Sequence, residues 1–216
     1  MTDDERTDPL APQRDTPTSV RPVRKAPRPK KKQVGPYRVP PREQRNGLLI
    51  VNTGKGKGKS TAALGILLRA TGRDMKVAMF QFIKSSKTLC GEHIAAERLG
   101  VTIIPLGDGF TWLTENIAED RALAEQGWAR CRDALHSGEY DVVIFDELTY
   151  ALTFGWLPIA EVLEAIRARP TGTHVVVTGR NAPQELIDAA DLVTEMTLVK
   201  HPYRDQGIGA QPGIEL

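Results

Sequence analysis

Cysteine and histidine are scarce in this chain of 216 residues, which has two of the first and four of the second. Two cysteines, Cys90 and Cys131, make no disulfide framework and are expected as free thiols in a reducing compartment. His93, His136, His174 and His201 show none of the spacings that hold zinc, and they are assigned no chemistry. No apolar run opens the chain, and none is long enough to span a bilayer, so neither a secretory signal nor a membrane segment is expected. The expected location is the cytoplasm. Net charge is also small, at +2, but it is unevenly spread. Residues 1–46 hold 12 Lys and Arg against 6 Asp and Glu, a balance of +6, so the remaining 170 residues carry −4.

The same 46 residues contain 9 of the 15 prolines. Proline removes a backbone donor and breaks helices, and few apolar side chains are present to offset the entropy of ordering. Residues 1–46 are therefore expected to be a flexible, disordered tail, followed by a single domain over 47–216. Within the tail, Arg21–Lys32 is a basic, proline-interleaved run. It suits contact with an acidic partner or nucleic acid, or simply a solvated tail.

The remainder alternates short apolar runs with helical periodicity. Strands are predicted at Leu48–Thr53, Lys76–Ile83, Val101–Leu106, Asp141–Asp146, Thr173–Thr178 and Leu192–Val199. Helices are predicted at Lys59–Thr71, Glu92–Leu99, Asn116–Ser137, Pro158–Arg169 and Ala182–Ala190. Such alternation gives an α/β fold with a mostly parallel sheet covered by helices on both faces. Ligands of such sheets bind beyond the carboxyl ends of the strands, so the loops after Thr53, Ile83, Leu106, Asp146 and Thr178 are where a site belongs.

The first of these loops reads Thr53-Gly54-Lys55-Gly56-Lys57-Gly58-Lys59-Ser60-Thr61 and runs into a helix. Strand, glycine-rich loop and helix in that order form the setting of a phosphate loop. Glycines let backbone N–H groups converge on phosphate oxygens, and the helix start adds partial positive charge. Lys59 can neutralise phosphate, and the Ser60 hydroxyl can ligate Mg²⁺. A basic glycine turn without a ligand is the plain alternative. The loop departs from the general pattern in one respect. Thr53 stands where the first glycine belongs, so counted from Gly54 the loop is one residue short, and a different phosphate pose is expected.

Val142–Phe145 is an apolar strand ending in Asp146-Glu147, the acidic pattern that helps hold Mg²⁺ (or Mn²⁺) in phosphate-loop proteins. Neighbouring residues on a strand face opposite ways, so the two acids are expected to differ in role. A helix cap is the alternative. Phe110 and Trp112 lie in the loop after the third strand and could press on a large flat ligand, or anchor the loop to the core. Arg180, after Thr178-Gly179, could clamp a phosphate, or be a surface arginine.

These segments resemble the phosphate-loop class of cob(I)alamin (corrinoid) adenosyltransferases. The matches are Thr53–Thr61, Gln81-Phe82-Ile83-Lys84, Gly109-Phe110-Thr111-Trp112, Asp146-Glu147-Leu148-Thr149-Tyr150, Val177-Thr178-Gly179-Arg180, Val199-Lys200-His201 and the terminal Gly-Ile-acid at 213–215. The resemblance covers about residues 45–216. It implies a RecA-like three-layer sandwich of the P-loop NTPase type, usually a homodimer. The shortened loop would hold ATP in a reversed sense, with the ribose 5′ carbon toward the corrinoid. Reduced cobalt(I) of cobalamin or a precursor corrinoid would attack that carbon, and triphosphate would leave. A reductant such as a flavoprotein is implied as a partner. Phe110 and Trp112 would pack on the lower corrin face, while Lys59 and the loop from Gly54 to Thr61 hold the nucleotide. The family often has Asn where Lys55 stands, and its N-terminal segment can form a helical lid, a form that the proline-rich segment here does not suit. Three other readings share parts of the pattern: a conventional phosphate-loop ATPase or small-molecule kinase, a nucleic-acid-dependent ATPase, and a non-catalytic nucleotide-binding partner protein. The acidic body argues against the second.

Overall fold

Six apolar segments rich in Val, Ile and Phe form one sheet, because residues buried on both faces suit a parallel strand covered by helices. The computed structural model describes residues 39–85, 89–107 and 117–215. Most of the basic tail, including Arg21–Lys32, lies outside them, as do Phe110 and Trp112. The strands are β1 (Leu49–Thr53), β2 (Val77–Ser85), β3 (Thr102–Gly107), β4 (Val142–Asp146), β5 (His174–Thr178) and β6 (Leu192–Glu195). Their order is β3-β2-β4-β5-β1-β6, and every neighbouring pair is parallel.

The helices are α1 (Lys59–Thr71), α2 (Gly91–Leu99), α3 (Ile117–His136), α4 (Leu148–Thr153), α5 (Ile159–Arg167), α6 (Gln184–Ala189) and α7 (Pro202–Gln206). On one face of the sheet Ala63, Leu67 and Ala70 of α1 cover Met79, Ile144 and Val176. On the other, Trp128 and Cys131 of α3, Leu148 of α4, Val162 and Ile166 of α5 and Leu186 of α6 cover Val51, Phe80, Phe145 and Val175. The Trp128 ring meets Phe145 edge-on at 5.5 Å between centroids. Each large side chain so buried contributes roughly 1.5–3 kcal/mol. Cys90 and Cys131 are both buried and unbonded. Among the described residues no helix is long and apolar enough to cross a membrane.

Four stretches differ from the sequence reading. Residues 40–45, assigned to the tail by composition, are docked. A 3-10 turn at Arg42–Gln44 lets Arg42 Nε (3.1 Å) and Arg45 NH1 (2.8 Å) reach the Asp141 carboxylate, whose other oxygen accepts the Lys76 N–H at 2.9 Å. Charge pairing thus orders a segment that apolar content alone would leave loose. The last strand stops at Glu195 and does not run on to Val199. Its partner β1 ends at Thr53 and turns away into the glycine loop, so no ladder remains beyond the Met196 N–H to Thr53 O bond at 2.8 Å. The short helices α4 and α7, of 6 and 5 residues, fall below the length at which periodicity is readable.

Burial would raise the Asp141 pKa, but hydrogen bonds from the Lys76 N–H, Arg42 and Arg45 hold it below its ordinary value. A carboxylate with a lowered native pKa stabilises the fold above the unfolded value, and that stability is lost as pH falls through the native one. Asp141→Ala is expected to cost about 2 kcal/mol at pH 7, by urea unfolding. The difference from the parent should shrink as pH is lowered through the carboxylate range.

Candidate functional site

Side chains alternate along each strand, and the residues two positions beyond Met79, Ile144, Val176 and Ile50, on the same α1 face, are all polar. They are Gln81, Asp146, Thr178 and Asn52, set side by side across β2, β4, β5 and β1 by the register Gln81↔Asp146 and Asn52↔Thr178. Asn52, Asp146 and Thr178 follow apolar runs near the carboxyl ends of β1, β4 and β5, and Gln81 lies level with them inside the longer β2. All four are buried, at 1%, 1%, 0% and 5% exposure. A row of buried polar groups must supply its own partners, and this one largely does. Asp146 is 1% exposed; it accepts the Thr178 hydroxyl at 2.7 Å and the Gln81 amide at 3.3 Å. Thr178 Oγ1 in turn accepts the Glu147 N–H at 2.9 Å. Asn52 Nδ2 is left without a hydrogen-bond partner.

The chain of bonds extends to a residue that sequence spacing passed over. His93 Nδ1 accepts the Cys90 N–H at 2.9 Å, so its Nε2 carries the proton and donates to Gln81 Oε1 at 2.7 Å. That fixes the orientation of the Gln81 amide, whose NH₂ must then face Asp146. His93 was missed because it shows no metal-ligand spacing. Its signal is only its place in the first turn of α2, beside Glu92, which pairs with Lys84.

Over the carboxyl end of β1 lies the loop Gly54–Gly58. Gly54 and Gly58 have φ of +98° and +106°, values that favour glycine. A Cβ on Gly54 would lie 2.4 Å from Met196 O, and one on Gly56 2.8 Å from the same atom. The Gly56 N–H donates to Met196 O at 2.7 Å. The chain after β6 therefore forms one wall of the loop and occupies one of the N–H groups that sequence reading gave to phosphate. Lys59 is buried at 6% exposure, and its Nζ donates to Gly56 O at 2.7 Å. Lys55 and Lys57 are exposed, Lys57 paired with Glu215; Ser60 is half-buried and Thr61 exposed.

Glu147 has φ +60° and ψ 23°. Left-handed backbone is unusual for a non-glycine residue and costs of the order of 1 kcal/mol. Here it turns the chain from β4 straight into α4. Burial, the Asp146 charge next to it, and only partial compensation by Lys59 and Arg180 push the Glu147 carboxyl up to about 7. Its Oε2 is buried without a hydrogen-bond partner. Burial lowers the Lys59 pKa, with Glu147 opposing that effect and Arg180 adding to it. Lys59, Asp146, Glu147 and Arg180 thus sense one another's charge at one end of the sheet. Arg180 is exposed, with its carbonyl taking the Thr149 hydroxyl at 2.7 Å. Among the described residues no three His, Cys, Asp or Glu side chains cluster to hold a metal. A hard divalent cation at the acid pair would need further oxygen donors, such as a hydroxyl or phosphates.

A glycine loop entering a helix, over a buried lysine that senses two acids at the end of a strand one removed, defines a phosphate-loop site for a nucleoside triphosphate. The model of one family within that class, ATP:corrinoid adenosyltransferase BtuR/CobO/CobP, matches residues 45–216. The chain belongs to this family. It is 44% identical over 78% of its length to a corrinoid adenosyltransferase of Sinorhizobium sp., of which 80% is covered. The match to the Pseudomonas aeruginosa corrinoid adenosyltransferase is 43% identical, over 86% of this chain and 92% of that one. With the Escherichia coli K12 corrinoid adenosyltransferase it is 39%, over 82% and 90%.

An acid whose native pKa is raised is bound to its proton more firmly folded than unfolded. Its stabilising share is present in full below the unfolded value and is lost as pH rises through about 7. Glu147→Gln is therefore expected to gain about 2–3 kcal/mol on the parent between pH 5 and pH 8 without nucleotide. Urea unfolding at the two pH values measures this, and parallel curves would remove the assigned cause.

Proposed function

We propose that this chain transfers the adenosyl group of ATP to a reduced corrinoid through the site at the ends of β1, β4 and β5. The chain is a corrinoid adenosyltransferase by family, and what is proposed here is how its own residues perform the reaction. The observation that carries the reading is the buried Lys59 beneath a loop one residue short of the ordinary pattern, facing Asp146 and Glu147.

The nucleophile is the cobalt(I) of the substrate, so the protein needs neither a nucleophile nor a general base. It must bring two ligands together and stabilise a leaving triphosphate. Lys59, together with the loop N–H groups other than that of Gly56, supplies positive charge fixed before the reaction. Donors of this type are each worth roughly 3–4 kcal/mol in the transition state. Arg180 adds a cation at the same end of the sheet. Mg²⁺ or Mn²⁺ fits the donor set, because Glu147 offers a buried oxygen with no hydrogen-bond partner and Ser60 opens α1 with a hydroxyl. Such an ion would relieve the repulsion between Glu147 and Asp146 and neutralise part of the triphosphate charge. Asp146, whose two oxygens each already accept a hydrogen bond, from Thr178 and Gln81, is read as a holder of geometry, and Glu147 as the direct ligand.

The strand β3 ends at Gly107, at the carboxyl edge of the sheet, where the corrinoid must approach. We assign Phe110 and Trp112 to the lower corrin face, where displacing the axial ligand makes cobalt(II) easier to reduce. A homodimer, a flavoprotein-type reductant, the range 47–216 as the catalytic domain and a cytoplasmic setting belong to the same reading.

The test is anaerobic incubation with ATP, Mg²⁺ and chemically reduced cobalamin. A light-sensitive adenosylated product with equimolar triphosphate is expected, whereas ADP with an unchanged corrinoid spectrum would point to a conventional ATPase or kinase. Lys59→Ala is expected to lower turnover by roughly 10²-fold, and unchanged turnover would remove Lys59 from the site. Trp112→Ala is expected to retain ATP binding, measured by calorimetry, and to lose adenosylation.

A further inference from the structure

The phosphate loop holds three lysines in five residues, and the structure treats them differently. Lys59 is buried, with Nζ on Gly56 O. Lys57 is 51% exposed, and its ammonium is paired with the carboxylate of Glu215, which lies 158 residues on and is 22% exposed. Its charge still reaches the site, since it is among those that lower the Lys59 pKa.

Glu215 does not meet Lys57 on a loose end. Met196 binds β1 and the loop together, with its N–H on Thr53 O and its O on the Gly56 N–H. The chain then passes through α7 and a turn in which Gln211 O accepts the N–H groups of Ile214 and Glu215, at 3.1 and 3.0 Å. Gly213, at φ +76°, makes that turn possible. The segment after β6 thus leaves the phosphate loop at Met196 and returns to it at Glu215.

We propose that Glu215 is a positioning residue that holds the Lys57 ammonium out of the phosphate cradle, leaving Lys59 as the lysine of this pair that takes the triphosphate charge. The proposal rests on the triphosphate-releasing reaction above. Its physical reason is that a cation binding ATP and released triphosphate equally well tightens both without speeding the chemical step. A Lys57 left free would add to the hold on the product after its use had ended. A part-exposed acid at the end of a braced turn prevents this at small cost, because an ion pair open to solvent is weak enough to leave the fold unchanged.

The experiment is calorimetric titration of the full chain with inorganic triphosphate, with ATP alongside. Glu215→Gln is expected to bind inorganic triphosphate roughly two- to five-fold more tightly than the parent, the scale of one exposed ion pair. The gain should fade as salt is raised. Lys57→Gln and the double variant Lys57→Gln/Glu215→Gln should bind it alike, since Glu215 then has no cation to withhold. Equal or weaker binding by Glu215→Gln overturns the proposal, because loss of a merely structural brace loosens the loop and cannot tighten it. So does a further gain in the double variant over Lys57→Gln. Inorganic triphosphate carries no adenosyl group, so this result stands apart from the adenosylation assay. A parent that binds triphosphate but does not adenosylate cobalamin would sink the functional reading and leave the loop measurement intact.

Discussion

The hydrogen bond from Thr178 to Asp146 joins the two central strands at the edge where the reaction is proposed to take place. A carboxylate at 1% exposure is tolerated only with donors fixed on it. Thr178 and Gln81 supply them from the strands on either side. The Thr178 hydroxyl donates to Asp146 and also accepts the Glu147 N–H, where the backbone takes its left-handed turn. Gln81 presents its amide only because His93 claims its carbonyl. Removing any one of these groups leaves a buried neighbour unpaired, at a cost of about 1–3 kcal/mol.

This arrangement separates the roles of adjacent acids. Each Asp146 oxygen accepts a hydrogen bond from inside the sheet. Glu147, one residue on, keeps a buried oxygen with no hydrogen-bond partner and a pKa raised to about 7. It is a strained, under-satisfied group next to a buried lysine, the condition in which a bound cation and a polyanion gain most from entering. The glycines of the phosphate loop have two causes as well. Phosphate binding asks for backbone that can converge, and the Met196 carbonyl, 2.4 Å from where a Gly54 Cβ would stand, asks for the absence of a side chain.

Much of the architecture was legible because parallel strands and amphipathic helices announce themselves by period. All six strands and five of the seven helices fall within a few residues of the predicted spans. The phosphate loop and the acid pair were legible as local motifs with a known setting, whereas Arg180 read equally as a phosphate clamp or a surface arginine. The helices α4 and α7 were not, since 6 and 5 residues carry too few turns for periodicity. The docking of residues 40–45 was not either, because it depends on one carboxylate, Asp141, about a hundred residues away.

The sequence by itself determined the element order, the apolar faces, the phosphate loop and the family resemblance. Each of these is written in residues that are neighbours along the chain. Only the tertiary structure decided that Gln81, Asp146, Thr178 and Asn52 form one row, that His93 serves it, and that Met196 and Glu215 wall the phosphate loop. Those contacts join strands and termini across up to 158 positions. Sheet order and register set such distances, and no local pattern of residues encodes them.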